Sequence, residues 1–163
     1  MWFGGLHTII LKPGEGYAGE KPSIVSTVLG SCVSVTMFCR NGRFGAICHS
    51  LLPEAASGTA GNEFRYVDSS MYAMLLHFDR RGVPREELEV KLFGGSDLLG
   101  CGSGSGKTVG RQNIETALGI IASERLALLA SDVGGDQGRK LFFKPHTGEV
   151  FVKRLSRGLP KNR

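Results

Sequence analysis

Cys32 closes the run Ser26-Thr27-Val28-Leu29-Gly30-Ser31-Cys32, just past a Gly-Ser interruption, and His49 follows on the next apolar stretch. A thiolate is the attacking form of cysteine. A nearby imidazole can take the thiol proton or, once protonated, lower the thiol pKa. The Gly30-Ser31 kink lets backbone amides turn toward a bound carbonyl, as an oxyanion site requires. A hydroxyl from Ser26 or Thr27 can hold the second ring nitrogen of His49 and fix its tautomer. The same residues have a plainer reading. Lone cysteines commonly fill cores, and a lone histidine on a strand is commonly satisfied by backbone. Residue type and spacing leave both open.

The elements that must position these groups follow from periodicity. Ser23 to Val28 is rich in β-branched residues, and Cys32 to Phe38 alternates, with Val33, Val35 and Met37 on one face and Cys32, Ser34 and Thr36 on the other. Asn41-Gly42 signals a hairpin into a partner strand, Phe44 to Leu52, which carries His49 and stops at Pro53. Val67, Met71, Met74, Leu75 and Phe78 recur at helical spacing before Gly82, and Ile114, Ala117, Leu118, Ile121 and Ala122 mark a second helix. Leu88 to Phe93, Leu126 to Ala130, Lys140 to Lys144 and Glu149 to Leu155 read as further strands, the last two a hairpin around His146-Thr147-Gly148. His7 lies at the edge of an N-terminal strand. The expectation is one mixed α/β domain over residues 1–163, with two long helices covering one face of a sheet.

Composition agrees with a single soluble domain: 163 residues, 41% hydrophobic and 21% charged, with 24 glycines scattered among apolar segments rather than gathered into a polar tract. No run is long enough to span a membrane, and Met1 to Lys12 lacks a signal-peptide layout, so a cytoplasmic chain without membrane insertion is expected. The net charge of +5 is uneven, since Arg139 to Arg163 holds eight basic residues against one acidic. Such a segment either docks on an acidic partner or is simply a solvated face, and nucleic acid is not indicated. Cys32, Cys39, Cys48 and Cys101 form no CxxC pair, and Cys48 and His49, adjacent on a strand, point to opposite faces. Neither metal nor disulfide is expected. Cys39, Cys101, His7, His77 and His146 read as bystanders.

Gly100 to Thr108, GCGSGSGKT, invites comparison with a phosphate loop. The spacing fails, because G-x-x-x-x-G-K-[ST] requires Gly where Cys101 stands. The preceding strand is also separated by Gly94 to Leu99, and Asp132 follows only a short apolar run. Nucleotide binding is therefore the third and weakest reading.

Several ordered motifs resemble the CheD family, the chemoreceptor glutamine deamidases of bacterial chemotaxis. They are Thr27-Val28-Leu29-Gly30-Ser31-Cys32-Val33-Ser34-Val35, Gly45-Ala46-Ile47-Cys48-His49-Ser50-Leu51-Leu52-Pro53-Glu54, Tyr66-Val67-Asp68, Phe93-Gly94-Gly95-Ser96, Gly110-Arg111-Gln112-Asn113, and Asp132 through Arg139. The resemblance covers nearly all the chain. It implies an α/β sandwich similar to the catalytic domain of the deamidating cytotoxic necrotizing toxins, with the nucleophile at Cys32 and the histidine at His49. The family's threonine stands six positions before the cysteine, where this chain has Ser26, so Ser26 is the expected orienting residue and Thr27 the alternative.

The resemblance further implies hydrolysis of glutamine side chains on methyl-accepting chemotaxis receptors through a Cys32 thioester, with room for methylesterase activity and no cofactor. Backbone amides at Gly30, Ser31 and Cys32 are the expected oxyanion donors, helped by the Gly94-Gly95-Ser96 turn. A CheC-type phosphatase is the implied second partner. The competing reading makes the chain chiefly a stimulator of that phosphatase.

Overall fold

The computed structural model describes residues 3–58, 61–99 and 106–156. The β-branched and alternating runs form β3 (Ser23–Leu29), β4 (Val33–Cys39), β5 (Phe44–Cys48), β6 (Leu88–Gly94), β7 (Ala127–Val133), β8 (Arg139–Phe143) and β9 (Val150–Arg154). The two helical patterns form α1 (Val67–Asp79) and α2 (Val109–Ser123). Two short strands precede these, β1 (His7–Ile10) and β2 (Gly16–Gly19). β2 escaped the sequence reading because its GYAG has little intrinsic β preference, and pairing with β5 makes it a strand. Gly16 leaves the space that the Phe64 ring fills.

One sheet has the order β1-β3-β8-β9 and the other β2-β5-β4-β6-β7. β1 with β3 and β6 with β7 are parallel pairs, and the rest are antiparallel. Alternation along β4 decides the layering. Val33, Val35, Met37 and Cys39 join Met71, Met74, Phe78, Ala117 and Ile121 in the core beneath the helices. Ser34, Thr36 and Phe38 therefore face the other way, toward the first sheet. Ile47 packs there with Val25 and Phe143, and Phe93 with Leu29 and Leu141. The result is a three-layer sandwich of helices, five-stranded sheet and four-stranded sheet. The sheets approach so closely that a Cβ at Gly45 would stand 2.6 Å from the Pro145 carbonyl oxygen. The expected mixed α/β class and the helix-covered face are both present.

Some expectations move. Cys32 lies in the link before β4 rather than opening it, and β5 stops at Cys48, so His49 sits just past its end. Past that end the two chains stay paired through the Val33 and Ser50 bridge. The buried stripe of α2 is Gly110, Asn113, Ala117, Ile120 and Ile121, whereas Leu118 is 40% exposed, so the apolar face is rotated from the one read off the sequence.

Arg139 is the largest correction. Read as the start of a solvated basic segment, it is 2% exposed and serves as an inter-sheet clamp. From β8 it donates through Nε and Nη2 to Asp132 Oδ1 on β7, at 3.1 and 2.9 Å, and through Nη2 to the Gly134 carbonyl at 2.7 Å. Nη1 donates to Ser96 Oγ at 2.7 Å. Burial alone would raise the Asp132 carboxyl pKa, but hydrogen bonds and charge from Arg139 and Arg154 hold it below its usual value. Arg139 is buried, while Asp132 is partly exposed and keeps Arg154, so removing Arg139 forfeits charged hydrogen bonds worth about 1.5–3 kcal/mol. Urea unfolding of Arg139→Ala is expected to show a loss of about that size, and a loss under about 1 kcal/mol would contradict the clamp.

Candidate active site

The two-sheet interface brings the chemistry-bearing residues together. Val33 pairs with Ser50 and Thr36 with Ile47, which sets Ser34 opposite His49 and makes Cys32 the diagonal neighbour of His49 on the same face. That face is the inter-sheet one, since Cys32 packs against the Leu29, Phe93 and Leu141 cluster. Cys48, one residue before His49, lies under the helices instead. Adjacent strand positions thus separate the two, and among the described residues no group of three or more His, Cys, Asp or Glu gathers as a metal set.

His49 is 2% exposed, and its ring nitrogens are in contrasting states. Nδ1 lies 2.7 Å from Thr27 Oγ1. The Thr27 hydroxyl spends its one hydrogen on the Leu11 carbonyl, also at 2.7 Å, so it accepts from His49 and Nδ1 carries the ring proton. Nε2 is buried, with no hydrogen-bond partner among the described residues. Burial lowers the His49 pKa to about 4 against a modest opposing pull from Glu15, so near neutral pH Nε2 is an unprotonated base. Burial raises the Cys32 pKa, with its own backbone N–H pulling the other way. The resting pair is therefore neutral thiol and neutral imidazole rather than an ion pair.

Thr27, rather than the expected Ser26, makes the contact with His49. Thr27 shares the inward face of β3 with Val25 and Leu29, which pack against the other sheet, and alternation sends Ser26 outward. Of the two adjacent hydroxyls, the contact is made by the alternative, Thr27, and not by the one that counting positions from the cysteine selects. The backbone around His49 is held as well: its N–H donates to the Glu15 carbonyl at 2.9 Å, and its carbonyl accepts from Gly14 at 2.8 Å.

The nucleophile loop is fixed through its carbonyls. Ser96 N–H donates to Gly30 O at 2.9 Å, Gly95 N–H to Cys32 O at 2.8 Å, and Asn113 Nδ2 to Ser31 O at 3.0 Å. The Gly95 and Ser96 amides, expected to help an oxyanion, are thus engaged in holding the loop. Gly94, at φ +101°, lies so close to the Cys32 carbonyl oxygen that any side chain there would strike it. Ser96 is itself fixed, its hydroxyl donating to Gln137 O at 2.6 Å while accepting from Arg139.

A pocket of about 350 Å³ reaches Thr27 and His49 past Leu11, Pro13 and Lys140, and another of about 650 Å³ borders Gly30 beside Leu98 and Leu99. A third, between the helices beside Tyr72 and Thr116, lies across the second sheet from Cys32. Of the GCGSGSGKT stretch, 100–105 fall outside the described residues, Cys101 among them. Lys107 pairs with Glu115 at 2.7 Å, and Thr108 caps α2.

Asn113 and Arg139 were missed as site-supporting residues. A signal existed for Asn113: it precedes Ala117 by one helical turn, which places a carboxamide on the buried stripe.

A partly exposed thiol on the same sheet face as a buried imidazole held by a hydroxyl, at the seam of a two-sheet sandwich, is an arrangement suited to thiol-dependent acyl transfer. Comparison with known proteins narrows the class. The family model described as CheD chemotactic sensory transduction matches residues 51–154. The chain is 54% identical to the probable chemoreceptor glutamine deamidase CheD 2 of Geobacter sulfurreducens over 149 residues, covering 91% of each chain. It is 41% identical to the probable chemoreceptor glutamine deamidase CheD of Maridesulfovibrio salexigens, covering 93% of this chain and 94% of that one. A Thermococcus kodakarensis relative of the same description is 35% identical, covering 89% and 91%. The chain belongs to the CheD family.

The low His49 pKa has a stability consequence. Between pH 4 and the ordinary value of 6.5 the unfolded chain binds a proton that the folded chain refuses, so stability falls as pH drops through that window. The loss from this one group is about 3 kcal/mol. Urea unfolding from pH 7 down to about pH 4 should show a slope that His49→Gln flattens, and an unchanged slope would contradict the assignment.

Proposed function

We propose that this protein is a chemoreceptor glutamine deamidase, acting in the cytoplasm on glutamine side chains of methyl-accepting chemotaxis receptors. Family membership and the names of the relatives support the activity. The Thr27 and His49 contact, which leaves Nε2 unprotonated on the face shared with Cys32, is the observation that carries the mechanism.

Cys32 Sγ attacks the carboxamide carbon while its proton passes to His49 Nε2. The tetrahedral intermediate collapses, the C–N bond breaks, and His49 returns the proton to the departing nitrogen, which leaves as ammonia. Water then attacks the thioester with His49 again as base. The carbon–sulfur bond breaks, glutamate is released, and the thiol regains its proton. The amides of Ser31 and Cys32 receive the developing oxyanion. A methyl ester enters the same sequence with methanol as the leaving group. Because thiol and imidazole rest neutral, proton transfer accompanies attack rather than preceding it. Partnership with a CheC-type phosphatase rests on the family resemblance, and co-purification with that protein checks it.

Mass spectrometry of a receptor fragment tests the scheme. Wild-type protein should add about one dalton per converted glutamine, and Cys32→Ala should add none. Conversion by that variant would refute the nucleophile. Thr27→Val, which loses the acceptor for Nδ1–H, should lower turnover by roughly 10²-fold or more, whereas Ser26→Ala should stay within about 2-fold. The reverse order would restore Ser26 as the orienting hydroxyl.

A further inference from the structure

Asn113 is fully buried in α2 and touches neither Cys32 nor His49 in any hydrogen bond found among the described residues. Its Nδ2 donates twice, to Ser31 O and to Leu51 O, both at 3.0 Å, while Oδ1 is buried with no partner among the described residues. Both partners are carbonyls, which fixes the orientation of the carboxamide, since only nitrogen can donate to them. An orphaned buried acceptor is unfavourable, and an aliphatic residue would suit the stripe formed by Ala117 and Ile121. The two donated bonds are what the asparagine supplies in return.

One of those bonds has a direct geometric effect. Ser31 C=O and Cys32 N–H belong to one peptide plane, the peptide is trans, and the two groups point in opposite directions. Drawing Ser31 O toward α2 therefore aims Cys32 N–H away from the helices, toward the inter-sheet side where the sulfur lies. The second bond, to Leu51 O, ties the same carboxamide to the segment that follows His49. One side chain thus sets the nucleophile loop against the base-bearing segment.

We infer that Asn113 is a positioning residue that aims the Cys32 backbone N–H as an oxyanion donor and locks the Cys32 loop to the His49 segment. The inference rests on the deamidase reading for its physiological meaning but concerns the geometry of the thiol site itself.

Two reactions at Cys32 separate its role from general packing. Alkylation by iodoacetamide builds no oxyanion, whereas a peptide aldehyde adds the thiol across its C=O, sulfur to carbon and proton to oxygen, placing that oxygen where an oxyanion donor acts. Asn113→Ala should lower kcat on a receptor fragment roughly 30- to 300-fold with KM within about 3-fold, and weaken the aldehyde adduct at least about 10-fold. The alkylation rate and its pH midpoint should stay within about 2-fold and a few tenths of a unit of wild type. Asn113→Leu keeps the approximate volume and removes the donor outright, so it should show the same split if the alanine variant does not fold. Unchanged adduct formation in a folded variant, or alkylation falling in parallel with turnover, would overturn the inference. If wild type converts no glutamine of the receptor fragment, the deamidase reading fails, and the aldehyde comparison still decides for or against Asn113.

Discussion

The hydrogen bond between Thr27 Oγ1 and His49 Nδ1 determines where the imidazole keeps its proton, and the remaining chemistry depends on that choice. Thr27 has one hydrogen and gives it to Leu11 O, so it meets His49 only as an acceptor. Nδ1 must then be the protonated nitrogen, and Nε2 is left bare on a residue that shares the inter-sheet face with Cys32. Three segments from two sheets meet in this contact: Leu11 just past β1, Thr27 in β3, and His49 just past β5. The relative placement of the sheets is therefore part of the geometry of the proposed site. The Arg139 clamp and the close approach at Gly45 bear on it because they hold one sheet against the other.

Burial acts in opposite senses on the two reacting groups. It lowers the imidazole pKa to about 4 and raises that of the thiol, so both rest in the uncharged state. A site of this kind avoids maintaining a charge pair at the seam of a core, where desolvation is costly. In the proposed reaction charge develops only as the thiol attacks, and the backbone amides of the loop are suited to receive it. Their orientation comes from three carbonyls each tied to a different donor: the Ser96 amide, the Asn113 carboxamide and the Gly95 amide. In each peptide the N–H points opposite to the tied carbonyl, which turns the Ser31 and Cys32 amides the other way, as the oxyanion role proposed for them requires.

Much of this was legible in the sequence. Alternation through Val33, Val35 and Met37 gave the helix-facing side of β4 and, by exclusion, placed Cys32 and Ser34 on the other. The hairpin into Phe44 placed His49 beside them. Local pattern could not show long-range partnership. Ser26 and Thr27 are both buried hydroxyls, and only the sheet that β3 faces determines which one meets the imidazole. Arg139 looked like one more residue of a basic run until Asp132 and Ser96 were seen to converge on it. β2 carries little strand propensity of its own and exists because β5 offers it an edge. Asn113 stood in plain view on a helical stripe, but its carbonyl partners, Ser31 and Leu51, are distant in sequence.

The tautomer of His49 is the most direct measure of the account. Long-range proton–nitrogen NMR correlation on protein labelled with nitrogen-15 at histidine, near neutral pH, reads the protonation of each ring nitrogen separately. His49 should appear neutral, protonated at Nδ1 and bare at Nε2, and this state should be lost or mixed in Thr27→Val. A proton on Nε2 in the wild-type protein would leave Cys32 without a base and contradict the account.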